Sequence, residues 1–476
     1  MSTDSTKGPR QGHRRRWWRL IGVVLAGLLL LSPVVWGVVE GRLRASVKAK
    51  LEEYRVAGQP VHIGDLSPHL VAAEDNAAEA LIEAAREINW EPREAHVATR
   101  PDPRWMQEQG ELVGQVLRRN SEVIELVQQA CFRSETDWGL DYSDQTALTN
   151  SILYVLDSTR PLCYLLATAG HWEAQTGEDS RSVDRIGDIL RVSEVVDEIP
   201  SRLAHFNAIT MSSLACFTIE GALPYWDLKD PAAHKAAQEL LGRLLDEKHF
   251  VANGERAWWG ERAGILDDFQ EIVGGGDGGS WLALPYKPIL QYDLLVTMDN
   301  VTQIAEASVQ SNYPQALRML PPSGTVGGLS AFFHPFSSAH HYSLTEIELG
   351  FHNIALRRLA ATALAMRLFL ADNDRSAVAL SELVPRYLPS LPTDPFTGGS
   401  QPLRIAGAGP SRLYSIGVHG TDGSALDTGD HIWGDVAFYL DGGRQRKPLE
   451  PLPDDSSRFQ GRLPKLSSSR PSGPGT

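Results

Sequence analysis

Hydrophobic and polar positions alternate along this chain with three different rhythms. From Leu20 to Val39 (LIGVVLAGLLLLSPVVWGVV) there is no charged residue, and a run of this length is what a hydrocarbon core requires of a spanning helix. Trp17, Trp18 and Trp36 stand near its ends, where amphipathic rings prefer the headgroup region. The run continues into RLRASVKAKLEEYRV, whose charges recur with helical spacing until Gly58 and Pro60 stop it. Residues 20–39 therefore read as a transmembrane helix and 40–60 as a helical stalk, the two forming one rod.

Over residues 61–372 the apolar positions follow i, i+3, i+4 steps, the rhythm of helices that bury one face. The spacing predicts a helix capped by Asp75 or Asn76 and running through Ile88, then one from Trp105 to Cys131. It predicts Gln145 to Thr176 with a break at Pro161, then Ser182 to Glu198, Ser201 to Leu223, Pro231 to Glu247, Asn300 to Leu320 and Ser343 to Leu370. Polar turns and prolines punctuate these like stacked helical hairpins, without the fixed period of a named repeat. Only after Leu403 does the period change to two: Tyr414, Ile416 and Val418 read as one strand, and Val436, Phe438 and Leu440 as another. The expected fold is mainly α: a single N-terminal transmembrane helix, an irregular helical bundle or solenoid body over 61–372, and a small α+β C-terminal module over 373–443. The Pro-, Ser- and Gly-rich segment 444–476 reads as a disordered tail.

Charge adds orientation. Arg10, Arg14, Arg15, Arg16 and Arg19 precede the apolar run, against Glu40, Arg42 and Arg44 after it, which makes 1–19 a basic cytoplasmic tail and everything from Glu40 onward extracytoplasmic. A second reading is a signal peptide cleaved near Val35-Trp36-Gly37. The apolar run continues past Gly37 into the stalk, which favours the uncleaved anchor and a place in the cytoplasmic (inner) membrane. The formal net charge of -14 argues against nucleic acid as a partner, because phosphate neutralisation needs a basic face. Cys131, Cys163 and Cys216 lack close spacing and lie among apolar residues, so buried free thiols are expected, with a disulfide between two of them as the alternative in an oxidising compartment.

The segments LVPRYLPSLPTDPFTGG, RLYSIGVHGTDGSALDTGD and GDVAFYL, between Leu383 and Leu440, resemble the C-terminal region of the type II secretion pseudopilins. The layout as a whole is similar to a broad class of bacterial membrane-anchored proteins that end in the same DPF…YS.G module and carry no assigned activity. The resemblance implies a helix, a DP turn, a strand and an acidic loop holding one calcium ion, here with Asp422, Asp427 and Asp430 as carboxylate ligands. His419 stands where the family's loop often has Asp, the spacing is not that of an EF-hand, and the same residues also suit plain hairpin turns. The apolar run lacks the Glu of pseudopilin N-terminal helices, which speaks against assembly into a pilus-like filament.

Three further constellations carry candidate chemistry. His334, His340, His341 and His352, with Glu346 and Glu348 between them, include a Glu348/His352 pair on one helix face, a spacing open to a transition metal. Ser343 with Glu346 reads more simply as a capping box. ERAWWGER sets Glu255, Arg256, Glu261 and Arg262 around Trp258 and Trp259; it suits a binding surface, or a helix whose tryptophans enter the core while the charges stay solvated. Asp267 or Asp268 with Glu271 makes a carboxylate pair of a kind common on acidic helices. GGGDGG (Gly274 to Gly279) reads as a loop tip, since neither a preceding strand nor a following Gly-Lys-Ser/Thr makes it a phosphate cradle. The expectation is a non-enzymatic envelope protein that scaffolds or binds; the alternative is a metal-dependent hydrolase using the His334–His352 cluster.

Overall fold

The computed structural model describes residues 11–68, 70–274, 286–321, 336, 344–406, 411–423 and 434–444, with 446, 448, 449 and 452; between 11 and 30 it describes backbone only. The chain is mainly helical and divides into two units. One comprises 1–61, 268–299 and 324–341; the other comprises 62–267, 300–323 and 342–476. The single helical domain expected over 61–372 is thus interrupted, because 268–299 clusters with the N-terminal helix instead.

In the first unit, α1 (Gln11–Val56) is one continuous helix through Pro33, as the rod reading requires. Among its described side chains Glu40, Val47 and Tyr54, seven residues apart, are the buried ones. Lys50 pairs with Asp299 at 3.2 Å. The buried Asp293 carboxylate accepts from the Phe336 amide at 2.7 Å.

The second unit is built on helices α2 (Ala77–Arg86), α3 (Pro92–Ala98), α4 (Arg104–Arg119), α5 (Ser121–Cys131), α6 (Gln145–Thr176), α7 (Asp179–Asp197), α8 (Arg202–Ala222) and α9 (Pro231–Leu245). Further helices among the described residues are α10 (Lys248–Gly274), α11 (Lys287–Ser308), α12 (Tyr313–Met319) and α13 (Leu344–Asn373). Its core is the packing of α6, α7 and α8 on one another, with α13 laid across α8 and α9. The α8 stretch, extended to Tyr225, is long and apolar enough to cross a membrane, yet 72% of its apolar 18-residue window is buried in the protein. Its apolar surface serves this core. Arg357 of α13 is itself buried and donates to the carbonyls of Arg243 (2.7 Å), Leu244 (3.3 Å) and Asp246 (3.1 Å). A fixed cation there satisfies the orphan acceptors at the end of α9 and suits the negative pole of its dipole.

Several expected boundaries move. The helix read from Trp105 to Cys131 is two, because the fully buried Asn120 turns the chain: its amide group donates to Val116 O (2.9 Å) and Asn89 O (2.8 Å) and accepts from the Asn89 amide (2.8 Å). Pro161 does not break α6. Ser158 and Thr159 bond back to the carbonyls of Tyr154 and Val155 at 2.8 and 2.9 Å, and packing holds the helix together across the missing amide. The element expected from Asn300 to Leu320 begins earlier as α11 and restarts as α12, where Asn312 accepts from the Gln315 amide as an N-cap.

Antiparallel strands β1 (Arg404–Ile405), β2 (Arg412–Ser415) and β3 (Val436–Tyr439) follow in the order β1-β2-β3, with Tyr414 opposite Arg404 and Ala437, and Leu413 opposite Phe438. β2 stops at Ser415 rather than reaching Val418. Gly417 has φ +61, and a Cβ there would lie 2.1 Å from the Gly434 carbonyl oxygen, so the chain turns where only glycine fits. β3 is buried at all four positions instead of alternating. Phe438 and Leu413 are wholly buried, while Tyr414, Ala437 and Tyr439 form a second cluster of their own. β2 and β3 pack on α13, so the expected separate module 373–443 shares the core of the helical body. The expected tail likewise starts docked. The Arg444 guanidinium bonds the wholly buried Glu220 of α8 at 2.6 and 2.9 Å, and Glu220 also accepts from the Tyr439 amide at 3.0 Å. Residues 453–476 lie outside the described residues.

Candidate functional site

Three helices of the second unit each turn a stripe toward one another. α8 contributes Arg202, His205, Phe206 and Ile209; α10 contributes Phe250, Val251, Gly254, Ala257 and Trp258; α13 contributes Glu346, Ile347, Gly350, Phe351 and Ile354. Each set recurs at three- to four-residue steps, the face of a helix. Between them lies a partly open pocket, whose outline of about 570 Å³ takes in open solvent. α10 reaches this position because Gly260 lies directly against the α7–α8 turn: a Cβ there would stand 1.9 Å from the Pro200 carbonyl oxygen.

One end of the pocket is polar. Arg202 donates to Glu261 at 2.9 Å and to Glu346 at 2.7 and 3.2 Å, and its guanidinium lies 5.0 Å from the Trp258 ring. His205 meets the buried Asp197 through Nδ1 at 2.6 Å, and its ring is 5.0 Å from that of Phe250. A carboxylate only accepts, so Nδ1 carries a proton and Nε2 of the neutral ring is an acceptor. Nε2 faces Gly254, whose Cβ would be 3.1 Å away. Phe206 at 42%, Leu203 at 36% and Leu344 at 41% exposure leave apolar surface beside the site.

The residues singled out in the sequence are scattered relative to this pocket. Glu346 lines it and pairs with Arg202 on α8; Ser343, its partner in the expected capping box, lies outside the described residues. Glu348 is buried and accepts from Tyr313 OH at 3.0 Å, while its second oxygen has no hydrogen-bond partner among the described residues. Burial and this carboxylate raise the Tyr313 hydroxyl above its ordinary range. His352 is half-buried; His334, His340 and His341 lie outside the described residues. Of the acidic loop, Asp422 pairs with Arg404 at 2.7 Å and accepts from Tyr414 OH at 3.2 Å, and Asp427 and Asp430 lie outside the described residues. Among the described residues no group of three or more His, Cys, Asp or Glu is placed to hold a metal ion.

ERAWWGER is helical, within α10, and Trp258 is buried as the core reading expects. Its charges are not simply solvated, however. Arg262 is wholly buried and donates to Thr302 Oγ1 at 3.1 Å, and Glu261 holds Arg202. Asp267 accepts from the Ile63 amide at 2.7 Å and meets His62 Nδ1 at 2.8 Å, so it joins chain segments instead of pairing with Glu271. The three cysteines are free; Cys163 and Cys216 are wholly buried, and burial pushes their thiols up to about 12. Arg202, His205 and Asp197 went unmarked in the sequence. The signal available was the coincidence of three short stripes on helices distant in sequence, which no single stripe carries. Compared with protein-family models, curated proteins and solved structures, the chain matches none. Fold and site together define a mainly helical protein with an apolar pocket closed at one end by paired charges.

Proposed function

We propose that this chain is a single-pass membrane-anchored extracytoplasmic protein with a non-enzymatic binding role, and that its helical body holds a small, largely apolar ligand in the α8–α10–α13 pocket. The observation that carries the reading is the wall of that pocket: Phe206, Ile209, Phe250, Ile347, Phe351 and Ile354, with Arg202, His205, Glu346 and Ser308 as its few polar side chains and the Arg202 and Glu346 charges paired with each other. Mostly apolar walls with a few placed polar groups are the composition of small-molecule sites. The anchor is supported by the uncharged run Leu20 to Val39 within one long helix and by the arginines before it.

Two measurements test this. A reporter fused after Val56 is expected to be active only on the extracytoplasmic side, and cytoplasmic activity would overturn the topology. For the pocket, indole binding to the full-length protein in lipid nanodiscs is measured by calorimetry. Gly350 lines the pocket, and a Cβ built there meets nothing within 4 Å, so Gly350→Leu fills the space without a backbone clash. Saturable binding by the parent and its loss in Gly350→Leu are expected; equal binding by both would remove the pocket from consideration.

A further inference from the structure

The segment that follows β3 repeats with a period of three. Arg446, Leu449 and Leu452 recur at i, i+3 and i+6, and Pro448 and Pro451 recur at the same step. Three residues per turn is the period of the polyproline II helix, which proline favours and which sets every third side chain on one face. Burial follows that period among the described residues: Arg446, Leu449 and Leu452 are half-buried, whereas Pro448 is exposed. One face of the segment is turned to the protein.

The surface it meets has matching chemistry. Leu449 and Leu452 pack, as do Leu112 and Trp172, against the buried Val97, Trp105 and Val113, an apolar face assembled from α3, α4 and α6. Trp105 Nε1 donates to the Arg100 carbonyl at 3.0 Å, so its ring joins this face with the polar atom already satisfied. Trp172 lies along α4 at Gly110 and Gly114, where a Cβ would stand 3.7 and 3.4 Å from its ring. Arg446 stands 4.0 Å from Asp102 and 3.9 Å from Glu220, so the arginine end of the segment meets carboxylates and the leucine end meets tryptophans.

Among the described residues, Arg446, Leu449 and Leu452 make no backbone hydrogen bond. A segment held by its side chains alone is replaceable by another that carries the same side chains, and its prolines lower the entropy lost on docking. Aromatic-lined grooves recognise proline-rich ligands in this way. None of these residues lines the α8–α10–α13 pocket. We infer that the α3–α4–α6 face is a recognition groove for a polyproline II segment carrying Arg, Leu and Leu at i, i+3 and i+6, and that residues 446–452 of this chain occupy it in cis.

The test uses the full-length protein in lipid nanodiscs and a fluorescent peptide of residues 445–453, QRKPLEPLP, followed by anisotropy. The triple variant Arg446→Ser/Leu449→Ser/Leu452→Ser empties the groove while keeping Arg444, and is expected to bind the peptide saturably. The parent is expected to bind it at least about tenfold more weakly, because a tethered segment competes at an effective concentration of about millimolar. Leu112→Glu, added to the triple variant, is expected to abolish binding and so place the peptide on α4. A peptide with serine at both leucine positions is expected not to bind, and one with alanine at both proline positions to bind more weakly. A thermal melt accompanies each variant, and Leu452→Ser alone, which disturbs the chain least, is expected to bind the peptide more tightly than the parent does. Equal binding by the parent and both tail variants overturns the inference, as does absence of binding by both tail variants. Equal affinity for the alanine peptide overturns the polyproline II class.

Discussion

Asp394 carries more of the C-terminal architecture than its place in a short motif suggests. It is wholly buried; one oxygen accepts from Ser415 Oγ at 2.7 Å and the Phe396 amide at 2.9 Å, and the other from the Ile416 amide at 3.0 Å. The DPF turn and the end of β2 are therefore two halves of one polar knot. That explains physically why DPF and YSIG occur together: the first supplies the acceptor, the second the donors. Asp394→Ala strands three buried donors at about 1–3 kcal/mol each, and a loss of several kcal/mol in chemical denaturation is expected. A loss under about 1 kcal/mol would show that the knot is dispensable. Glu173 and Asp188 act in the opposite sense. Burial raises both carboxyls to about 7, with Arg185, at 3.4 Å from Glu173 and 3.7 Å from Asp188, opposing the shift. A folded-state pKa above the unfolded value means that the native state binds more protons between the two, so stability declines as pH rises from about 4.5 to about 7 and then levels off. For Glu173 the decline amounts to a few kcal/mol at most, by about 1.4 kcal/mol per pH unit of displacement. Denaturation between pH 5 and 8 should show it, and Glu173→Gln should flatten it; an unchanged slope in that variant would clear Glu173 of the effect.

At the scale of elements, periodicity revealed what was helical and missed where helices end or meet. The apolar stripes of α6, α7 and α8 were plain in the sequence, since each is continuous over several turns. Asn120 was invisible as a break because its partners, Asn89 and Val116, become partners only in the folded chain. Pro161 misled for the converse reason: a local rule about a missing amide was outweighed by the burial of Ser158, Thr159, Leu162 and Cys163 around it. The wall of the pocket contains a position where local preference and tertiary need part company. Gly350 lies in the interior of α13 with open space at its Cβ, so nothing in packing requires glycine there. Gly350→Ala should stabilise the protein by about 0.5–1 kcal/mol through helix propensity and a less flexible unfolded chain. An increase in the thermal midpoint with little change in indole affinity is expected. If stability falls instead, the space beside Gly350 is not open in solution.

Across the whole molecule, the helical class could be read from the sequence while the pocket could not. Asp197, Arg202 and His205 look like ordinary polar residues at a helix junction until α10 and α13 are brought beside them. The C-terminal boundary was hidden in the same way. Composition alone assigns Arg444 to a tail, yet its guanidinium lies between the rings of Tyr439 at 4.9 Å and Phe217 at 5.5 Å, paired with a carboxylate that has no exposed surface. Leu449 and Leu452 continue the docking, against the cluster of Val97, Trp105 and Val113. Arg446 also approaches Glu220, at 3.9 Å, but too far to replace the two short bonds from Arg444, so removing Arg444 leaves the buried carboxylate poorly compensated, at a cost of up to about 3–5 kcal/mol. Arg444→Ala should therefore lower the denaturation midpoint sharply, although the residue stands outside every helix and strand. Adding Glu220→Gln to that variant removes the stranded charge and should recover part of the loss, even though Glu220→Gln alone destabilises the parent. Recovery of this kind is what separates an electrostatic anchor from a merely bulky side chain. If Arg444→Ala melts like the parent, or the double variant melts lower still by the full sum of the two single losses, Glu220 and Arg444 are not coupled and the chain beyond β3 does not help to hold the helical body.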